Sequence, residues 1–176
     1  MSAFEQLPPL THLQPLFAAV AGLNPHDGPA RSYAMDPRRS MVLLAPAGAG
    51  KTTTLQLRLL SCLTTVERPE EVLAITFTNK AAAEIVERVV GALLHANAGV
   101  EPEKEHELIQ YRLARLVLER DKQLGWNLLL NPSRLRIMTF DSFCAFLAGK
   151  TPIMSGIGGG KTTEDASRIY RPAILD

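Results

Sequence analysis

The chain has 176 residues, 46% of them hydrophobic and 21% charged. That mix predicts one globular domain with a short appendage and excludes a disulfide-stapled mini-protein or a disordered tail. Nineteen basic residues against 18 acidic ones leave a net charge of +1, which excludes a uniformly basic nucleic-acid coat but not a local basic groove.

Residues 1–40 read as an irregular segment punctuated by Pro8, Pro9, Pro15, Pro25, Pro29 and Pro37, with a turn at His26-Asp27-Gly28-Pro29 and a short helix over Leu13–Leu23. The apolar run Met41-Val42-Leu43-Leu44-Ala45 predicts a buried strand. Leucines at 55, 59, 60 and 63 predict a helix over Lys51–Val66. A second buried strand is expected over Val72–Phe77, then a helix over Asn79–Leu94 in which Glu84 and Arg88 form an i,i+4 pair. Asn97–Glu105 is a loop, and Glu101, Glu103, Glu105 and Glu107 read as a solvated face. A third helix covers Glu107–Lys122, and a loop around Trp126, read as a packing residue, leads to a third strand at Leu135–Phe140. A short helix runs from Asp141 to about Leu147. Strands alternating with helices predict a parallel α/β sheet flanked by helices. The start Met1-Ser2-Ala3-Phe4-Glu5 is acidic and does not read as a secretory signal, and no apolar run is long enough to cross a bilayer. Cys62 and Cys144 then read as reduced thiols, and a cytoplasmic location is expected.

The chemistry concentrates after the first strand. Ala45-Pro46-Ala47-Gly48-Ala49-Gly50-Lys51-Thr52 fits a phosphate-binding loop, with Ala45 at a position where glycine is usual. Gly48 and Gly50 permit unusual dihedrals and a close approach to phosphate. Amides up to Thr53 and the following helix N-terminus supply partial positive charge. Lys51 is placed to reach the β- and γ-phosphates of ATP, and the Thr52 hydroxyl to bind Mg²⁺. The bland reading, a glycine turn joining strand to helix, is disfavoured by that context. A second Gly-Lys-Thr, in Ser155-Gly156-Ile157-Gly158-Gly159-Gly160-Lys161-Thr162, has no strand before it and a polar stretch after it, and reads as a flexible surface loop.

Leu73-Ala74-Ile75-Thr76-Phe77-Thr78-Asn79-Lys80-Ala81-Ala82-Ala83-Glu84 resembles motif Ia of UvrD-type superfamily 1 DNA helicases, and Arg136-Ile137-Met138-Thr139-Phe140-Asp141-Ser142-Phe143-Cys144 resembles motif Ib. Asp36-Pro37-Arg38-Arg39-Ser40, Gly125-Trp126, Asn131 to Arg136 and Gly158 to Tyr170 are similar to the helicase–nuclease branch, the RecB/AddA-like exonuclease V β-subunit proteins. The resemblance implies a partial RecA-like lobe of the P-loop NTPase class at 41–149, with 150–176 a flexible tail opening a missing region. It implies a base stacked on Phe77. It also implies DNA phosphate contacts from Thr76, Thr78, Asn79, Thr139 and Ser142. Implied partners are single- or double-stranded DNA and a second helicase–nuclease subunit, with no membrane. For Phe77 and Phe140 the alternative is burial at strand ends, and for Lys80 a solvated helix position.

The sequence departs from that family in three places. Asp141 stands where many relatives have histidine. Pro29 falls where a glutamine often reads adenine, Gln14 being a substitute only with an insertion. No apolar strand ends in the Asp-Glu that would hold Mg²⁺ for hydrolysis, the one adjacent acidic pair of that kind being Glu164-Asp165. The chain is therefore expected to be an N-terminal fragment or truncated product, inactive alone. Two rival readings stand beside it: a small P-loop kinase, and a non-catalytic nucleotide- or DNA-binding remnant.

Overall fold

The computed structural model describes residues 10–24 and 26–150; the second Gly-Lys-Thr and the tail lie outside them. The chain divides into two compact units, the first ending at Met138 and the second beginning at Thr139.

The first unit is a helical core carrying a small sheet. Helix α1 spans Gln14–Leu23 and α2 spans Gly28–Met35. Helix α3 covers Lys51–Leu63, strand β1 Leu73–Thr76, α4 Asn79–Ala98 and α5 Glu105–Leu124. Strand β2, Arg136–Thr139, pairs with β1 in a parallel two-stranded sheet. Two single 3₁₀ turns, at Pro69–Glu71 and Pro132–Arg134, lead into the strands.

The core follows helical periodicity. Val89, Leu93 and Ala96 line the inner stripe of α4, and Ile109, Leu113 and Val117 that of α5. A spacing of three and four residues keeps such side chains on one face, so the two helices bury them together. Leu60 and Leu63 of α3 and Leu16 and Val20 of α1 belong to the same cluster. Helix α4 begins at a cap, where Thr78 Oγ1 accepts from the Ala81 amide at 3.1 Å. It stops at Gly99, whose φ of +77° belongs to the left-handed region. The Glu84–Arg88 pair forms at 2.8 Å. Trp126 is buried, as expected, and its indole N–H donates to the Glu67 carbonyl at 2.9 Å.

Strand β1 forms but is not buried as expected, with Leu73 and Ile75 40% and 44% exposed, and three further expectations need correction. Residues 1–40 are not irregular throughout, because 28–35 form α2. The His-Asp-Gly-Pro stretch turns only at His26 and Asp27; Gly28 and Pro29 already open the helix. A Cβ on Gly28 would lie 2.5 Å from the Ala21 carbonyl oxygen, so this glycine serves a close crossing of α1 and α2 rather than a turn. Pro29 fits the first turn of a helix, where its missing N–H costs nothing.

Second, Met41–Ala45 forms neither strand nor helix. Val42 and Leu44 are 85% and 89% exposed. A strand exists only by pairing, and among the described residues the sheet is β1 and β2 alone. Third, Phe140 does not end β2 as a core residue: it opens the second unit's helix α6, Phe140–Lys150, and is exposed. There Thr139 Oγ1 accepts from the Ser142 amide at 3.2 Å, and this local bond turns the chain into the helix.

An ion pair joins the two 3₁₀ turns that precede the strands. Arg134 donates Nε and Nη2 to the two Glu70 carboxylate oxygens at 2.6 and 3.2 Å, and Nη1 to the Trp126 carbonyl at 2.7 Å. The forked hydrogen bond from Arg134 holds the Glu70 carboxyl below its ordinary value of 4.5. A carboxyl depressed on folding stabilises fully above its unfolded pKa, and that contribution disappears as pH falls through the folded value. Glu70→Gln is therefore expected to lower the melting temperature at pH 7, with the gap from wild type closing as the pH is taken below 4.5. Melting curves of both proteins between pH 3 and 7 check this; a pH-independent gap contradicts it.

Candidate functional site

The glycine-rich loop takes the conformation its sequence demands. Gly48 and Gly50 have φ of +79° and +75°, values that an L side chain adopts only with strain. Gly50 is the residue before the first turn of α3, so the loop delivers the chain to a helix N-terminus. A turn closes it, with the Ala49 amide donating to the Pro46 carbonyl at 3.3 Å. Lys51 folds back over the loop: its Nζ donates to the carbonyls of Ala45 at 2.6 Å and Pro46 at 2.7 Å. An ammonium has three donors, so these bonds fix its position and leave a third direction for an anion. Thr52 and Thr53 lie exposed on the first turn of α3. The loop, the ammonium and the exposed Thr52 hydroxyl thus stand together, and Ala47 sits at the solvent side of the turn.

Sequence reading missed Arg31. From α2, its Nη2 donates to the Ala49 carbonyl at 2.7 Å and its Nη1 to Thr54 Oγ1 at 3.2 Å. Its Nε is held by Asp27 Oδ2 at 2.8 Å. The one available signal was the i,i+4 Asp27/Arg31 pair, legible only once 28–35 is known to be helical. Beside the loop a cavity of about 280 Å³ is lined by residues including Asn24, Asp27, Arg31, Thr53 and His106. Neither Gln14 nor Pro29 is among its lining residues.

The motif residues after β1 form a separate group. Phe77 is 100% exposed, so the alternative of a buried strand end does not hold. Thr76 Oγ1 donates to the Thr78 carbonyl at 3.0 Å, and Thr78 Oγ1 is spent on the α4 cap. Asn79 is the first residue of α4 and Lys80 follows it, both exposed. In the second unit, Thr139 and Ser142 are joined through their hydroxyls at 2.8 Å, with Thr139 buried and Ser142 exposed. Both cysteines are free thiols, and burial pushes that of Cys62 up. No described helix is long and apolar enough to cross a membrane.

Residues 28–151 match the UvrD/REP helicase N-terminal domain, and the chain belongs to that family. Among curated proteins it is similar to the ATP-dependent helicase/nuclease A-subunit of Desulfitobacterium hafniense, 40% identical over 93 residues, 51% of this chain. The protein of the same name from Moorella thermoacetica is 40% identical over 123 residues, 68% of the chain. That from Clostridium botulinum is 33% identical over 108 residues, 60% of the chain. In each case the match covers 7% of the relative's length. No solved structure matches the chain.

Proposed function

We propose that this chain is the N-terminal ATP-binding part, a RecA-like P-loop lobe, of an ATP-dependent DNA helicase of the helicase–nuclease kind that acts in DNA repair and recombination. The observation that carries it is Lys51, drawn over a turn with two positive-φ glycines at the head of α3, in a chain of the UvrD/REP family. The donors suit a nucleoside triphosphate: backbone amides and a helix N-terminus for the phosphate oxygens, an ammonium beside them and a hydroxyl for magnesium. Thr52 would hold Mg²⁺, and the ion would supply charge neutralisation to the phosphates. Ala45 to Thr53 bind and orient the triphosphate, Lys51 supplies the cation and Thr52 the metal ligand.

DNA is assigned to the surface after β1. Phe77 offers a full aromatic face to solvent, and every base has a face to stack on it. Thr76, Thr78 and Asn79, from the end of β1 to the head of α4, are the candidate phosphate contacts there; in the second unit Thr139 and Ser142, at the head of α6, are candidates by themselves. The Thr78 hydroxyl serves the helix cap by taking the Ala81 amide, so the Asn79 and Lys80 amides at the start of α4 are the ones offered to an anion. A cytoplasmic setting and a second helicase–nuclease polypeptide complete the proposal; the relatives' name, which makes each of them one subunit of an enzyme, supports the latter.

Phe77→Ala is expected to weaken binding of an oligothymidylate by roughly ten-fold or more, since stacking one base contributes about 1–3 kcal/mol. The melting temperature is expected to hold, because Phe77 is fully exposed. Fluorescence anisotropy with labelled single-stranded DNA reads this directly. Unchanged affinity refutes the DNA assignment, and phosphoryl transfer to a metabolite without DNA would favour the small kinase instead.

A further inference from the structure

The Arg31 side chain makes three hydrogen bonds, and two of them reach the phosphate loop or the helix turn that follows it. Nη2 donates to the Ala49 carbonyl at 2.7 Å. Nη1 donates to Thr54 Oγ1 at 3.2 Å, and that hydroxyl donates in turn to the Gly50 carbonyl at 3.2 Å. Two successive carbonyls are thus held through one guanidinium. The third bond, Nε to Asp27 at 2.8 Å, ties the guanidinium to its own helix. A Cβ on Gly50 would stand 3.0 Å from Nη1, so the side chain lies directly against the glycine.

The consequence follows from peptide geometry. Across a trans peptide the C=O and the next N–H point in opposite directions. Holding the Ala49 carbonyl on the Arg31 side therefore turns the Gly50 N–H to the other side of the loop. We propose that Arg31, oriented by Asp27, is the positioning residue of the phosphate loop, aiming the Gly50 amide at the phosphates of a bound nucleoside triphosphate. It acts through the backbone: three of its five N–H donors are engaged by protein oxygens, and the Ala49 carbonyl is one of them. The proposal rests on the phosphate-loop reading above. It makes α2 part of the nucleotide site, although α2 carries none of the loop's own residues.

The test is a titration of the ¹⁵N-labelled full chain with MgATP, reading affinity by calorimetry and the Gly50 amide by its NMR resonance. In wild type the Gly50 resonance is expected to shift on addition of nucleotide. Arg31→Ala is expected to weaken affinity roughly ten-fold, the scale of one charge-assisted hydrogen bond, and to abolish the Gly50 shift. Arg31→Lys keeps one donor for the Ala49 carbonyl and is expected to fall between the two. A merely structural Arg31 would lower the melting temperature and leave the Gly50 response to nucleotide intact. Wild-type affinity and a wild-type Gly50 shift in Arg31→Ala overturn the role of Arg31 alone and leave the phosphate loop standing. No MgATP binding by the wild type overturns both. If Arg31→Ala does not fold, Arg31→Lys and Asp27→Asn decide. Weakened affinity with a reduced Gly50 shift in both supports the proposal, and any other result overturns it.

Discussion

Leu113→Ala is expected to destabilise the first unit by about 3 kcal/mol and to lower its melting temperature by about 10 °C. Leu113 is wholly buried on the inner stripe of α5, in one cluster with Leu93 and Val89 of α4 and Leu60 of α3. Removing its branched end forfeits the transfer free energy of the lost carbons and leaves a hole that three helices cannot all close. Leu130→Ala is the control, because Leu130 is 82% exposed, and a change within about 0.5 kcal/mol is expected there. Urea unfolding of the two variants distinguishes them; equal stabilities would mean that the α3–α4–α5 cluster is not the core of the fold.

Gly50→Val is expected to remove MgATP binding, by a factor on the order of 100, while leaving that core folded. Two independent costs meet at this position. The φ of +75° suits glycine and strains a β-branched residue. The new Cβ would also stand 3.0 Å from Arg31 Nη1, on a guanidinium fixed by Asp27. Relief must come from moving the loop or Arg31, and either one redirects the amides. The double variant Gly50→Val with Arg31→Ala removes the clash but not the dihedral strain, so it is not expected to regain binding. Full recovery in the double variant would show that crowding alone is responsible.

Much of this was legible in the residues because the signals were local. The apolar stripe announced a helix from Asn79, where α4 begins; its end was expected at Leu94, whereas the helix runs on to Ala98 and stops at Gly99. The glycine-rich loop is written in consecutive residues, and Lys51 folds back onto the carbonyls of Ala45 and Pro46 within it. What was not legible depended on partners distant in sequence. The apolar character of Met41–Ala45 states that the segment is built for burial, but a strand also requires a neighbour, which periodicity cannot supply. Gly28 was read as a turn because glycine beside proline usually marks one; its actual reason, the close passage of α1, is a tertiary fact. Arg31 escaped for the same cause. Its partners Ala49 and Thr54 lie 18 and 23 residues away, and nothing in its own neighbourhood announces them. Phe77 shows the converse: an aromatic at a strand end is commonly core, and only the structure reveals it fully exposed.

Affinity of the intact chain for MgATP, compared between wild type and Lys51→Ala by isothermal calorimetry, tests the account at its centre. Saturable binding by the wild type, weakened by more than about ten-fold in Lys51→Ala at an unchanged melting temperature, is the predicted result. Equal affinity in the two proteins, or none in the wild type, would contradict it.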